Sequence, residues 1–238
     1  MSFDSVIAFD LETVPDLQAV GRIHGMDGAD DEALRSALGE GFPKLPLHSI
    51  ACIGALVARR DGDHWAVTAL GAPHVGERSE AELLSGFLHK IDELGPRLVS
   101  FNGSGFDLPV LRYRAMVHSL PAPGLRPRYF NRYSDDAVDL CDVLSSFGAS
   151  AKVKLDDLAR TLGLPGKPDG MEGSQVAEYV RSGRIAEVAA YCESDVINTY
   201  RIWLRYELFQ ANLTQAGFAA SEASLEHFIE RRRHRTAP

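Results

Sequence analysis

Cysteine is scarce in this 238-residue chain: there are three, Cys52, Cys141 and Cys192, far apart and in no Cys-x-x-Cys pair. That spacing excludes a zinc knuckle or a disulfide framework and fits a reducing, cytoplasmic setting. Long apolar runs are missing too. The longest, Ile50 to Ala58, has the length of a strand and falls far short of a membrane span, so no membrane partner is expected. The opening MSFDSV has neither a basic nor an apolar leader region, and no export is expected. Positive charge is in deficit. Lys and Arg number 25 against 33 Asp and Glu, a formal charge of −8 that excludes a generic basic coat for nucleic acid. What the chain does have is apolar content: 45% hydrophobic residues, enough for one sizeable core and too much for a disordered segment.

Val6–Phe9 is an apolar run ending in Asp10, the pattern of a buried strand that delivers polar residues at its end. Residues from Pro15 to about His48 read as a loose, acidic segment with a short helix over Asp30–Leu38. Ser49–Arg60 predicts a long strand, and Asp61-Gly62-Asp63 a hairpin turn into His64–Leu70. Ser79 with Glu82 three residues on is a capping box for a helix to about Leu94, stopped by Gly95-Pro96. Arg97–Phe101 is the next strand, and helix resumes from about Leu108 to Ser119. A short strand near Ala137–Leu140 precedes helices near Cys141–Phe147, Leu155–Leu162 and Gln175–Arg181, then a long helix over Ile185–Phe209. This order predicts an α/β domain over residues 1–210, a mixed central sheet flanked by helices, because hairpins join antiparallel neighbours and crossovers join parallel ones. Residues 211–238 read as a helical extension with a basic tail, Arg231 to Arg235, that frays.

Three places carry acids that such a fold can gather. In Phe9-Asp10-Leu11-Glu12-Thr13, period-2 geometry points Asp10 and Glu12 to one side of the strand, where like charges persist most easily around a divalent cation. In Asn102-Gly103-Ser104-Gly105-Phe106-Asp107, Asp107 stands before a helix with Pro109 in its first turn, the position of an N-cap. In Tyr191-Cys192-Glu193-Ser194-Asp195, the i, i+4 spacing puts the Tyr191 hydroxyl and the Asp195 carboxylate on one helix face. Each place alone has an ordinary explanation: a solvated strand end, a helix cap, a surface acid beside a half-buried tyrosine. Lys167 reads as a solvated loop lysine that can reach a phosphate, and His64, His74, His89 and His118 as surface residues without ligand spacing.

Taken together, the three resemble the motifs of the DEDD superfamily of 3′–5′ exonucleases, most closely stand-alone bacterial relatives of the exonuclease domain of family-B DNA polymerases. FDLET is similar to the first motif through Asp10 and Glu12, FNGSGFDLPVLRYR to the second through Asn102, Phe106 and Asp107, and YCESD to the third through Tyr191 and Asp195. The resemblance spans roughly residues 5–210 and implies an RNase H-like fold. It implies a DEDDy-branch enzyme, since Ala190 stands at the His-branch position and Tyr191 at the tyrosine one. It further implies two Mg²⁺ or Mn²⁺ ions, with Asp10, Glu12 and Asp195 on the first, Asp10 bridging to the second, and Asp107 acting largely through water. Tyr191 would orient the attacking water, and Asn102 and Phe106 would grip the terminal nucleotide, although core packing explains Phe106 equally well. The implied substrate is a nucleic-acid 3′ end, single-stranded DNA first and RNA as the alternative, released as nucleoside 5′-monophosphates. Two other readings stand beside it. One is a haloacid-dehalogenase-like phosphatase, which wants Asp where Glu12 stands; the other is a non-catalytic binder of nucleic-acid ends.

Overall fold

The computed structural model describes residues 3–166 and 171–236; Lys167 lies outside them. Strand β1, Ser5–Pro15, is longer than its apolar core predicts. Val6 and Ala8 turn to one face, Ile7, Phe9 and Leu11 to the other, and both sets are buried. Burial on both faces marks a central strand. Antiparallel to β1 runs β2, His48–Asp61, which turns through Gly62 into β3, His64–Gly71. On the other side β4, Arg97–Ser100, and then β5, Ala137–Asp139, run parallel to β1. The five-stranded order is β3-β2-β1-β4-β5, the mixed α/β sheet expected of an RNase H-like fold.

Two helix layers cover the sheet. On the Ile7/Phe9 face lie α3, Glu80–Leu94, and α4, Asp107–Val117, burying Leu84, Phe87, Ile91, Leu108 and Leu111. The capping box of α3 is present as read, and Gly95 ends the helix in the left-handed conformation its lack of a side chain permits. On the Val6/Ala8 face lies the longest helix, Ile185–Phe209, with Val196, Tyr200, Trp203 and Leu204 wholly buried. Each such side chain contributes roughly 1.5–3 kcal/mol. Gly54 of β2 sets how closely this helix approaches. A Cβ there would lie 2.7 Å from Cys192 Sγ and 2.8 Å from Val196 Cγ2.

The segment after β1 is more ordered than the sequence suggests. Besides the expected helix at Asp31–Leu38, a further helix forms over Leu17–His24, capped by the Asp16 carboxylate accepting from the Ala19 N–H at 2.9 Å. Asp16 also accepts from the buried Arg114 of α4 at 2.6 Å, and Arg114 reaches Glu80 of α3 at 2.5 Å. His118, expected at the surface, is half-buried and faces Glu80 at 2.7 Å. Burial pushes both carboxyls up, yet the Ala19 and Ile50 N–H groups and Arg114 outweigh it and hold Asp16 and Glu80 below the usual carboxylate range. This network fastens α4 to the end of β1.

The last helix, Gln215–Thr236, lies along β3. Ser221 Oγ accepts from the Trp65 N–H and Ser224 Oγ from the Val67 N–H, each at 2.9 Å, so two donors on the outer side of the sheet are satisfied by hydroxyls. The helix continues through the basic segment expected to fray. Arg232 donates to the Leu70 carbonyl at 3.2 Å and pairs with Glu193 at 2.8 Å. With α5, Leu140–Leu144, α6, Leu155–Thr161, and α7, Val176–Arg181, filling the connection, the two long helices are α8 and α9, numbering Leu17–His24 as α1 and Asp31–Leu38 as α2. Among the described residues, no helix is long and apolar enough to cross a membrane.

Candidate active site

Asp10 and Glu12 continue the Val6/Ala8 face of β1, so the strand points both carboxylates at α8. There they meet Cys192: one ligand atom from each of Asp10, Glu12 and Cys192 lies within 4.8 Å of the others, a grouping able to hold a cation. Cys192 Sγ donates to the Asp10 carbonyl at 3.5 Å and approaches Asp10 Oδ2 at 3.6 Å. Its contact with Cys52, its burial and the Asp10 charge hold the thiol well above the ordinary range. With no metal bound the thiol is a hydrogen-bond donor to Asp10, and beside it the Asp10 and Glu12 carboxylates offer oxygen ligands. That set fits a hard divalent cation.

Asp107 enters from the start of α4. It is the first helical residue, not the N-cap its sequence position suggests, because Phe106 occupies the cap and Asp107 Oδ1 is engaged across the sheet by the Leu11 N–H at 2.9 Å. Burial pushes its pKa up to about 7 against the pull of that hydrogen bond, and the neighbouring Asp139 charge adds to the rise. Tyr191 and Asp195 enter from α8, both buried and one turn apart.

A buried acid that sequence reasoning passed over shapes the remaining wall. Asp139, at the end of β5, accepts from the N–H groups of Asn102 at 2.7 Å, Ser104 at 2.9 Å and Cys141 at 3.0 Å. These bonds hold Asn102 in the left-handed conformation, φ 68°. Gly103 follows because a Cβ would lie 2.5 Å from Ser100 Oγ and 3.1 Å from Asp107 Oδ2. Asn102 Oδ1 then accepts from Lys152 Nζ at 3.0 Å, a rim cation also absent from the sequence reading. Phe106 faces Phe42 at 5.7 Å between ring centroids and His48 edge-on at 4.9 Å. Phe42, in the segment read as loose, is 76% exposed. Its only signal in the sequence is a large apolar side chain between Gly41 and Pro43.

The result is a cleft of about 620 Å³ lined by Asp10, Glu12, Asn102, Phe106, Asp107, Tyr191 and Asp195, together with Leu11, Phe42, Leu45, Phe101, Gly105 and Leu155. All seven residues singled out from the sequence line it, drawn from three segments far apart in the chain. Residues 40–237 match the family described as a predicted 3′–5′ exonuclease related to the exonuclease domain of PolB. The chain belongs to this family.

Among curated proteins this family member is similar to a DNA polymerase of Archaeoglobus fulgidus, 29% identical over 135 residues, covering 52% of the chain and 17% of the polymerase. Among solved structures it is similar to the ExoI/SSB-Ct complex (TM-score 0.42, 12% identity, 88% of this chain and 46% of the other). It is also similar to E. coli exonuclease I in complex with a 5cy-dT13 oligonucleotide (TM-score 0.40, 12% identity, 88% and 45%). The chain thus spans less than half the length of each relative.

Proposed function

We propose that this protein is a 3′–5′ exonuclease of the DEDDy type. It hydrolyses single-stranded DNA from the 3′ end and releases nucleoside 5′-monophosphates with the aid of two Mg²⁺ or Mn²⁺ ions. The observation that carries this reading is the convergence of four carboxylates and Tyr191, from three distant segments, on the one cleft that also holds Asn102 and Phe106. Family membership agrees with it and leaves the phosphatase reading without support.

Asp10, Glu12 and Asp195 would hold one cation, and Asp10 with Asp107 the other. Bound there, the ions supply a nucleophile at neutral pH and offset the charge that develops on the leaving 3′-oxygen. The rest falls to the protein. The Cys192 thiol packs against Asp10 and donates to its carbonyl. Tyr191 orients the attacking water through its hydroxyl and does not remove the proton, since a phenol of ordinary pKa about 10 is a poor base at pH 7. Asn102, clamped by Asp139 and Lys152, offers its amide to the terminal nucleotide, and the Phe106–Phe42 wall stacks its base. Such a wall admits a base that has left its helix, which favours single strands.

The deciding experiment is digestion of matched 5′-labelled DNA and RNA strands, single and double, with Mg²⁺, Mn²⁺ or EDTA. A ladder shortening by single nucleotides from the 3′ end, faster on single-stranded DNA and absent in EDTA, is expected. Internal fragments from a circular single strand would overturn the exonuclease reading.

A further inference from the structure

Beyond the rim of the cleft, a chain of contacts runs outward from Lys152 through Asp142, Arg132, Tyr133 and Phe147, and the last four have no part in the cleft chemistry. Lys152 Nζ, bonded to Asn102, also lies 3.3 Å from Asp142 Oδ1, and the other oxygen of that buried carboxylate takes the Arg132 guanidinium at 2.9 Å. Among these three side chains, Lys152 and Arg132 against Asp142, the formal charges sum to +1. Arg132 stands against two rings, 5.8 Å from the centroid of Tyr133 and 5.7 Å from that of Phe147, and the rings are 4.8 Å apart. Tyr133 is 70% exposed and Phe147 37%.

Backbone geometry sets this placement apart from ordinary packing. Ser146 and Phe147 are consecutive non-glycine residues in the left-handed region, φ 50° and 56°. A phenylalanine is strained there, and strain of this kind persists where surrounding structure enforces it. The turn that enforces it leaves the Phe147 ring at the surface beside Tyr133.

We propose that Arg132, Tyr133 and Phe147 form a second nucleic-acid subsite, which binds a nucleotide of the single strand on the 5′ side of the one being removed. The inference rests on the exonuclease reading of the cleft. The chemistry of the ligand follows from the side chains. The rings offer stacking to any base, without regard to sequence, and the guanidinium offers a planar fork to a phosphate. Three successive contacts, Asn102 to Lys152, Lys152 to Asp142 and Asp142 to Arg132, link this platform to the rim of the cleft, so a strand whose 3′ end sits in the cleft can continue over it. A duplex keeps its bases stacked in the helix and gains nothing here, so the subsite extends the preference for single strands beyond the terminal base.

The test compares wild type with Y133A/F147A, R132A and Y133W. Binding of 5′-fluorescein-labelled dT12 is read by anisotropy in EDTA, and hydrolysis of thymidine 5′-monophosphate p-nitrophenyl ester, which occupies the cleft alone, is read with Mn²⁺. Losing the stacking platform should weaken dT12 binding roughly tenfold or more. R132A should weaken it and flatten its salt dependence. Y133W should bind as wild type, and ester hydrolysis should be unchanged in all three. Unchanged dT12 binding in Y133A/F147A, or an equal loss on the ester, would overturn the subsite. Failure of the wild type to cleave either substrate would instead sink the exonuclease reading, while the anisotropy series would still report on the platform.

Discussion

Asp107 has one oxygen committed before any ligand arrives, because the Leu11 N–H of β1 donates to its Oδ1. Asp10 is likewise packed against Cys192, whose thiol donates to its carbonyl and lies 3.6 Å from its Oδ2. The acids of the cleft are therefore aimed before they are loaded, which is what fixed positioning of charge requires. Two predictions belong at this scale. D10A and D195A should each abolish hydrolysis while the metal-free protein melts no lower than wild type, since removing a like charge from a crowded site relieves repulsion. Thermal melting in EDTA beside a nuclease assay checks both halves, and an unfolded variant would count against the ligand assignment. Y191F should lose about 10²-fold in rate, the worth of one positioned hydrogen bond in such a site, with Mn²⁺ affinity unchanged. Calorimetric titration of Mn²⁺ into Y191F and D195A separates orientation from ligation, because only D195A should bind the ion more weakly.

Among the elements, α4 matters most to the alignment of the cleft, since Asp107 opens it and Arg114, two turns on, fastens it to Asp16 and Glu80. Both carboxyls are held below their ordinary values, so their contribution to stability is present above about pH 4.5, the ordinary value for Glu, and is lost as pH falls through the lowered ones. Replacing Arg114 by Met removes the guanidinium and leaves Asp16 and Glu80 with burial, which raises a carboxyl pKa, opposed by the Ala19 and Ile50 N–H groups and His118. R114M should lose about 3–5 kcal/mol at pH 7, the usual cost of stranding a buried pair. The loss relative to wild type should shrink on acidification from pH 7 to pH 3, because wild type gives up the pairing with Arg114 as its acids protonate; melting curves of both proteins across that range decide it.

Elements with a strong period were legible from residue types alone. The apolar core of β1, the β2–β3 hairpin, the capping box of α3 and the whole of Ile185–Phe209 lie where composition and spacing put them. Helix α1 escaped notice because Gly21 interrupts it and its cap, Asp16, draws part of its support from Arg114, 98 residues away. The site divides in the same way. Acids at period-2 and i, i+4 spacing declare themselves, whereas Asp139, Lys152, Phe42 and Cys192 act through neighbours that only the fold supplies.

On the scale of the whole molecule, α9 ties the last residues of the chain to the hairpin at its first third. The approach is close at Gly217, where a Cβ would lie 2.3 Å from the Asp63 carbonyl oxygen. G217V should force α9 away from the turn and cost about 1–3 kcal/mol, read as a lower urea midpoint at unchanged ester hydrolysis, because the cleft lies at the other end of β1 and β2. The hydroxyls of Ser221 and Ser224 have a consequence of another kind. A sheet grows by lending its unpaired N–H groups to a stranger's carbonyls, and this one has two margins from which to do so. At β5 the margin is three residues long, too short to template anything. At β3 two donors, on Trp65 and Val67, are already taken by serine hydroxyls, which accept a hydrogen bond and present no second row of partners behind them. A strand that finds this margin meets α9 before it meets those donors, so α9 acts as a selvedge that keeps the fabric from extending into its neighbours in a crowded cell.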